Sequence, residues 1–249
     1  MKMKQIIGFG TGALYKNLAG QNTVSKEAIE LIRASGCNAI EIFAGFSSRL
    51  IGFETLNKSD FSGFEYVSLH APDDMSYDDS EKTRDVLEKI SAAHKRIGFK
   101  AVVIHGISIL NPVILEEYDL PYVIENVDYL KSGGKTLEDM RAIFSRFDRP
   151  MNLDVLHAYT ITKDNSLALT MAKEFKSRIK QVHLSGLRIH DMDKQHHFPI
   201  YETQQEDILA SVPKGIPVII ESVFPKIGLR EELIEGLKKE YEYVRHNLK

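Results

Sequence analysis

The chain has 249 residues, 43% hydrophobic and 27% charged, with a formal net charge of −3 and one cysteine, Cys37. This is the composition of a packed globular protein long enough for one or two domains. The slight negative charge excludes recruitment of nucleic acid or an acidic membrane surface by a global field, although a local basic patch stays open. The lone cysteine excludes an intrachain disulfide, and no apolar run approaches the roughly 20 residues of a membrane span. Met1-Lys2-Met3-Lys4 leads into an apolar run too short for a signal-peptide core, so a cytoplasmic location is expected.

Strand and helix alternate along the whole chain. The first strand is expected at Gln5 to Phe9, followed by a Gly-Thr-Gly loop and a helix from Thr23 or Ser25 to Gly36. A strand at Ala39 to Phe43 precedes a less regular stretch with a helix around Arg49 to Leu56. Tyr66 to Leu69 reads as a strand, Ser80 to Ile97 as a helix stopped by Gly98, and Ala101 to Ile104 as a strand. Within Ser108 to Leu120, Pro112 suits the first turn of a short helix. Next come a strand at Tyr122 to Ile124, a Gly133-Gly134 loop, and a helix from Leu137 to Phe147 capped by Thr136. Strand Met151 to Val155, helix Ser166 to Lys176 and strand Ile179 to Leu184 follow. The longest polar loop, Ser185 to Ile200, leads to a helix around Glu202 to Ser211, a strand at Pro217 to Ile220 and a final amphipathic helix, Arg230 to Asn247.

Eight βα units of roughly 31 residues predict an α/β protein, a single (β/α)8 TIM barrel spanning 1–249, with no linker or composition shift to mark a second domain. A doubly wound open sheet is the rival, but it would gather ligands at one switch point. Here a polar residue closes one apolar run after another: His70, His105, Glu125, Asp154, His183 and Glu221. In a closed barrel the strand C-termini ring one face, so these residues converge.

Their types are the nitrogen and oxygen ligands of divalent metals. Glu125, Asp154, His183 and Glu221 form a four-ligand set, and His70 with His105 supplies a second ion site that Glu125 could bridge. Buried acids need a paired charge or a metal, so the joint pattern outweighs the plain reading of any one residue as a hydrogen-bonded polar group. Other residues receive that plain reading. His94 lies within a helix and His246 near the tail. Glu41 is either pocket lining or a structural ion pair. Gly8, Gly10 and Gly12 do not complete a dinucleotide fingerprint, because position 13 is Ala. Lys131 beside Gly133-Gly134 could meet a phosphate.

Several of these segments carry a family resemblance. Ser68-Leu69-His70-Ala71-Pro72 resembles the His-Ala-Pro motif of the xylose isomerase-like TIM-barrel superfamily, which includes sugar-phosphate isomerases/epimerases and endonuclease IV. Val102-Val103-Ile104-His105-Gly106 resembles its fourth-strand histidine motif. Ile124-Glu125-Asn126 is similar to its fifth-strand Glu-Asn motif, and Leu153-Asp154-Val155-Leu156-His157 to its Asp-x-x-His motif. Val182-His183-Leu184 and Ile219-Ile220-Glu221 match its last two strands.

The resemblance implies one or two divalent metal ions (manganese, zinc, iron, cobalt or magnesium) and a carbohydrate-like small-molecule substrate; the slight negative charge and the few Lys and Arg in the strand-end loops make duplex DNA the less expected partner, and no membrane partner is expected. A homo-oligomer stays open. It casts Glu125 and Glu221 as acid and base, and His157 as a substrate ligand or the ligand of a third metal. His197-Phe198-Pro199 resembles the family's late His-x-Pro segment, with His196 its register rival. The Asp that commonly stands two residues before that His is Gln195 here. Asp193 could substitute only in a remodelled loop, and His190 and Asp191 read as solvated loop residues. Three functions follow: an isomerase or epimerase of a small sugar or related hydroxy-carbonyl compound, an endonuclease IV-like metallo-phosphoesterase, and a non-catalytic metal or sugar binder.

Overall fold

The computed structural model describes residues 5–188 and 197–248. Eight parallel strands close into a barrel in chain order, the first bonded to both the second and the eighth. They are β1 (Ile7–Gly10), β2 (Ala39–Phe43), β3 (Tyr66–His70), β4 (Ala101–His105), β5 (Tyr122–Glu125), β6 (Met151–Asp154), β7 (Ile179–Leu184) and β8 (Val218–Ile220). The expected (β/α)8 barrel is therefore the fold, and the open doubly wound sheet is not.

The surrounding helices are α1 (Lys26–Ala34), α2 (Glu81–Ile97), α3 (Pro112–Glu116), α4 (Leu137–Arg146), α5 (Val155–Thr162), α6 (Ser166–Glu174), α7 (Ile200–Thr203), α8 (Glu206–Ala210) and α9 (Arg230–Asn247). Their starts follow local chemistry. The Ser25 side chain accepts from the Ala28 backbone N–H, that of Ser80 from Thr83, and that of Asn111 from Val113 just before Pro112. Thr136 and Asp139 form a reciprocal capping box at α4. Gly98 ends α2 in the left-handed region, with φ +85°.

Strands β2 and β7 and helix α9 match their expected bounds, while three differences have physical reasons. First, β3, β4 and β5 each run one residue further, because parallel pairing continues through Phe43 with His70 and His105 with Glu125. This carries the functional side chains on rigid strand rather than loop. Second, β6 stops at Asp154 and Val155 begins a helix that the sequence did not suggest. Asp154 is the N-cap of α5, its carboxylate accepting from the His157 backbone N–H. Because Val155 through Thr160 are all buried, the segment has no amphipathic period to read. Third, the helix expected around Glu202 to Ser211 is two short helices, α7 and α8, parted at Gln204 with φ +53°. The stretch around Arg49 to Leu56 is a 3-10 helix, Ser47–Thr55.

Alternation along each strand divides the barrel into two environments. Ile40, Ile42, Leu69, Val102, Ile104, Ile124, Leu153 and Val182 belong to the large core that the helices cover. The opposite face of the same strands carries Glu41, Ser68, His70, His105, Glu125, Asn152, Asp154, Gln181 and His183, all buried. Ala101, Val103 and Val123 form a small apolar cluster separate from the main core. The barrel axis is thus lined largely by polar groups. Gly8 lets β1 and β2 approach, since a Cβ there would overlap the Ala39 backbone. Among the described residues, no helix is long and apolar enough to cross a membrane.

Candidate metal centre

All six strand-end residues meet at the C-terminal mouth of the barrel. His70, His105 and Glu125 bring one potential ligand atom each within 4.8 Å of one another, and so do Glu125, Asp154, His183 and Glu221. Glu125 belongs to both sets. Its Oε2 lies 3.2 Å from His70 Nε2 and 3.3 Å from His105 Nε2, and its Oε1 lies 2.7 Å from His183 Nδ1. Glu221 Oε1 is 3.3 Å from the same His183 nitrogen.

The supporting bonds orient these groups. His70 Nδ1 faces the Ala71 carbonyl oxygen at 2.9 Å, which turns Nε2 toward Glu125. Asn152 donates to Glu125 Oε1 at 3.1 Å. Asn126 holds Asp154 from both sides: its amide nitrogen donates to the Asp154 carbonyl at 2.8 Å, and its side-chain oxygen accepts from the Asp154 N–H at 2.9 Å. His157 Nδ1 lies 2.9 Å from the Asn126 carbonyl oxygen and 3.3 Å from Asp154 Oδ2. His197, at φ +63°, faces Ser185 Oγ at 2.9 Å and Glu221 Oε2 at 3.9 Å. Asp193 and His196, with His190, Asp191 and Gln195, lie outside the described residues.

The charges are strongly coupled. Burial alone would lower the His70 pKa, but the hydrogen bond and charge of Glu125, with Glu41 and Glu221 behind it, raise it to about 10. Burial likewise opposes a proton on His183, yet Glu221, Glu41 and Glu125 hold its pKa well above the usual value. Burial favours the neutral acid at Glu125 and Glu221. The histidines win at both: Glu125 lies well below the ordinary carboxylate range and Glu221 is lowered to about 2, mainly by His183. At Asp154 burial prevails over the attraction of His157, with Glu125 and Glu221 adding to it, and the pKa rises to about 7.

The donor set fits a divalent cation. Asp154 Oδ2 is buried and has no hydrogen-bond partner, in a protein interior where such oxygens are rare. Around it stand carboxylates and imidazoles of the kinds that bind zinc, manganese or iron. Without a cation, protons on His70 and His183 balance the acids; a cation would replace them.

Above the cluster lies a cavity of about 250 Å³ lined by Tyr15, Phe43, His70, Asp73, His105, Asp128, Lys131, His157, His197 and Glu221. Glu125 is fully buried against His70 and His105, which line the cavity. His94 packs against Phe99 and His246 is exposed near the end of α9, both apart from the cavity lining. Gly12 serves the Phe43 ring, which a Cβ would meet at 3.1 Å.

The sequence reading did not assign Ser68, Asn152, Gln181 or Asn126 to the site, and it left Glu41 undecided. A signal existed for three of them. Ser68, Asn152 and Gln181 stand two positions before His70, Asp154 and His183. On a strand that spacing shares one face.

No protein-family model and no curated protein sequence matches the chain. Its fold matches solved structures across nearly the whole length. A D-allulose 3-epimerase from Methylomonas sp., solved with D-allulose, superposes with a TM-score of 0.68 at 10% identity, covering 98% of this chain and 97% of that one. The 3-keto-D-glucoside 4-epimerase of E. coli gives 0.64 at 16% identity, covering 98% and 100%. Endonuclease IV of Thermus thermophilus gives 0.57 at 15% identity, covering 95% and 98%. These are xylose isomerase-like TIM barrels, and the chain shares their fold.

Proposed function

We propose that the protein is a divalent-metal-dependent isomerase or epimerase of a small sugar or related hydroxy-carbonyl compound. The observation that carries this reading is the pairing of Glu221, which lines the cavity, with Glu125, buried against His70 and His105 of that lining, both glutamates held by His183. A cation bound by Glu125, Asp154, His183 and Glu221 would act as a Lewis acid, polarising a substrate carbonyl and stabilising an enediolate.

The chain's own groups then handle the proton. Glu221, ionised at neutral pH, takes the proton from the carbon beside the carbonyl, and the C–H electron pair becomes the C=C bond of the enediolate. Glu125 is held ionised, so it serves as the complementary acid by relaying a proton from His70, whose Nε2 lies 3.2 Å from its Oε2 and which stays protonated at neutral pH. Return of a proton to the other face gives an epimer, and return to the neighbouring carbon gives an isomer. His157 binds the substrate through Nε2, since its Nδ1 is engaged by the Asn126 carbonyl oxygen.

The cavity volume suits a small molecule. Among the described residues, Lys131 lines the cavity, Arg188 pairs with Glu202 at 2.9 Å and covers the Phe198 ring, and Arg49 covers the Phe46 ring at 4.7 Å. Asp73 and Asp128 line the cavity and would repel a phosphate backbone. The second ligand set, His70, His105 and Glu125, favours one rival, a phosphoesterase with two bridged ions.

The test pairs two assays on metal-loaded protein: deuterium uptake from heavy water into a panel of ketoses, and cleavage of an abasic duplex. Exchange without cleavage is expected. Cleavage without exchange would replace the first reading by the second. Bound metal with neither activity would leave a metal or sugar binder.

A further inference from the structure

Glu41 lies on β2 beneath the metal centre and is fully buried. Its Oε2 accepts from Ser68 Oγ at 2.8 Å and from Gln181 Nε2 at 2.7 Å. Its Oε1 accepts no hydrogen bond, although it lies 3.0 Å from His183 Nε2. The other nitrogen of that ring, Nδ1, faces Glu125 Oε1 at 2.7 Å and Glu221 Oε1 at 3.3 Å. His183 thus stands between two sets of carboxylates, one of which includes candidate metal ligands. We propose that Glu41 is a positioning residue: by accepting a hydrogen bond from the His183 Nε2–H, it makes Nδ1 the nitrogen that faces the metal.

The argument rests on the metal reading above and on what an imidazole can do. A neutral ring carries one N–H and one lone pair, and the hydrogen bond at one nitrogen decides which nitrogen can ligate. His183 Nε2 has two neighbours that favour opposite answers. The Gln181 amide nitrogen, at 2.9 Å, is a donor. If it bonds Nε2, the ring proton sits on Nδ1, where it would block a cation. Glu41 Oε1 is an acceptor. If it takes the Nε2–H, the lone pair of Nδ1 points at Glu125, Asp154 and Glu221. Gln181 is free to yield, because it also donates to Glu41 Oε2 while its own oxygen accepts from Tyr66 OH at 2.9 Å.

His70 shows the commoner arrangement, with the backbone carbonyl of Ala71 beside its outer nitrogen. Either acceptor makes the ring a more basic ligand, and the charge of a carboxylate strengthens that bond. A fully buried carboxylate oxygen is costly without a donor, and the His183 Nε2–H at 3.0 Å is the donor placed to reach Glu41 Oε1.

The experiment uses the full chain, ¹⁵N-labelled in its imidazoles and loaded with zinc. In a long-range proton–nitrogen spectrum, His183 is expected to carry its proton on Nε2 and to bind zinc through Nδ1. In competition with a chromophoric chelator, Glu41→Gln is expected to bind zinc about 10–100-fold more weakly than wild type. Zinc on Nε2 with the proton on Nδ1 would overturn the proposal, and so would a Glu41→Gln affinity equal to that of wild type. The wild-type spectrum decides alone if the variant does not fold. A wild-type chain that binds no zinc, manganese or iron would overturn the metal reading itself, a result separate from either of these.

Discussion

Glu240 and Glu125, two of the fully buried glutamates, lie in different parts of the molecule and behave differently. Glu240 sits on α9, where Oε1 accepts from the Ile200 N–H at 2.8 Å and from Ser222 Oγ at 2.5 Å, and Oε2 accepts from the Tyr201 N–H at 3.2 Å. Its donors are uncharged, and burial raises its pKa despite them. Glu125 is equally buried but faces three imidazoles, next to an Asp154 oxygen that no donor reaches. Burial of an acid therefore does not by itself mark a functional site. What distinguishes the barrel mouth is an excess of acceptors over donors, with protonatable rings in place of neutral N–H and O–H groups. Glu240 ties helix to loop, whereas Glu125 belongs to two groups of side chains that could hold a cation.

The largest effect should come from Glu125→Gln. The amide keeps the shape but loses the charge that both ligand sets share. Isotope exchange on the best ketose should fall by about 10²–10⁴-fold, and bound metal, measured by elemental analysis, should drop below the one to two ions expected for wild type. Normal turnover by this variant would remove Glu125 from the chemistry and make it resemble Glu240 after all.

Metal uptake should depend on pH in a direction fixed by the histidines. His70 is raised from 6.5 to about 10, so without metal its proton is retained at neutral pH. The stability it contributes is complete below about pH 6.5 and is lost as pH rises through about 10. A metal ligand must give up that proton, so affinity should strengthen with rising pH across the same window, and uptake should release protons. Calorimetry in two buffers of different ionisation enthalpy measures the count. At least one proton per ion is expected, and none released would mean that the imidazoles are not ligands.

The barrel and its ring of strand-end residues were legible because both follow from short-range pattern. Apolar runs mark buried strands, and a polar residue closing each run marks one rim. The polar floor was partly legible: Ser68, Asn152 and Gln181 obey the two-residue strand period, but single polar residues inside apolar runs are weak signals one at a time. Glu41 stood out as the charged residue within Ala39–Phe43, yet its partner, His183, lies on β7, far along the chain. Only closure of the barrel brings them together. Helix α5 was hidden for a different reason. Buried on all sides, it lacks the amphipathic period that revealed α1, α2 and α9, and Asp154 belongs to both the strand end and the helix cap.

Glu240→Gln should have a smaller effect than Glu125→Gln, and one of a different kind. The amide offers one acceptor oxygen in place of two, so one of its three donors would face an NH₂ group. Loss of a buried hydrogen bond of this sort costs about 1–3 kcal/mol, visible as a lower midpoint in urea. Part of that loss is offset at higher pH. A raised carboxylate pKa means that wild-type stability falls as pH rises from 4.5 toward the folded value, a slope that the neutral amide removes. Zinc affinity should match that of wild type. A large loss of affinity would show that Glu240 serves the metal centre through the 197–201 segment.

Ser222→Ala should give the smallest change and the sharpest comparison. Ser222 follows Glu221 directly, yet its hydroxyl points at Glu240 rather than into the metal centre. Removing it leaves each Glu240 oxygen with one backbone donor, so no acceptor is orphaned and the cost should be about 0.5–1.5 kcal/mol. The Glu221 backbone N–H is fixed independently by the Leu184 carbonyl at 2.9 Å, so the metal-facing carboxylate should hold its place. Urea denaturation and chelator competition on the same preparation separate the two effects. If the variant instead lost zinc affinity while keeping its stability, the acid under α9 would govern how Glu221 is presented, and the two buried glutamates would belong to one site.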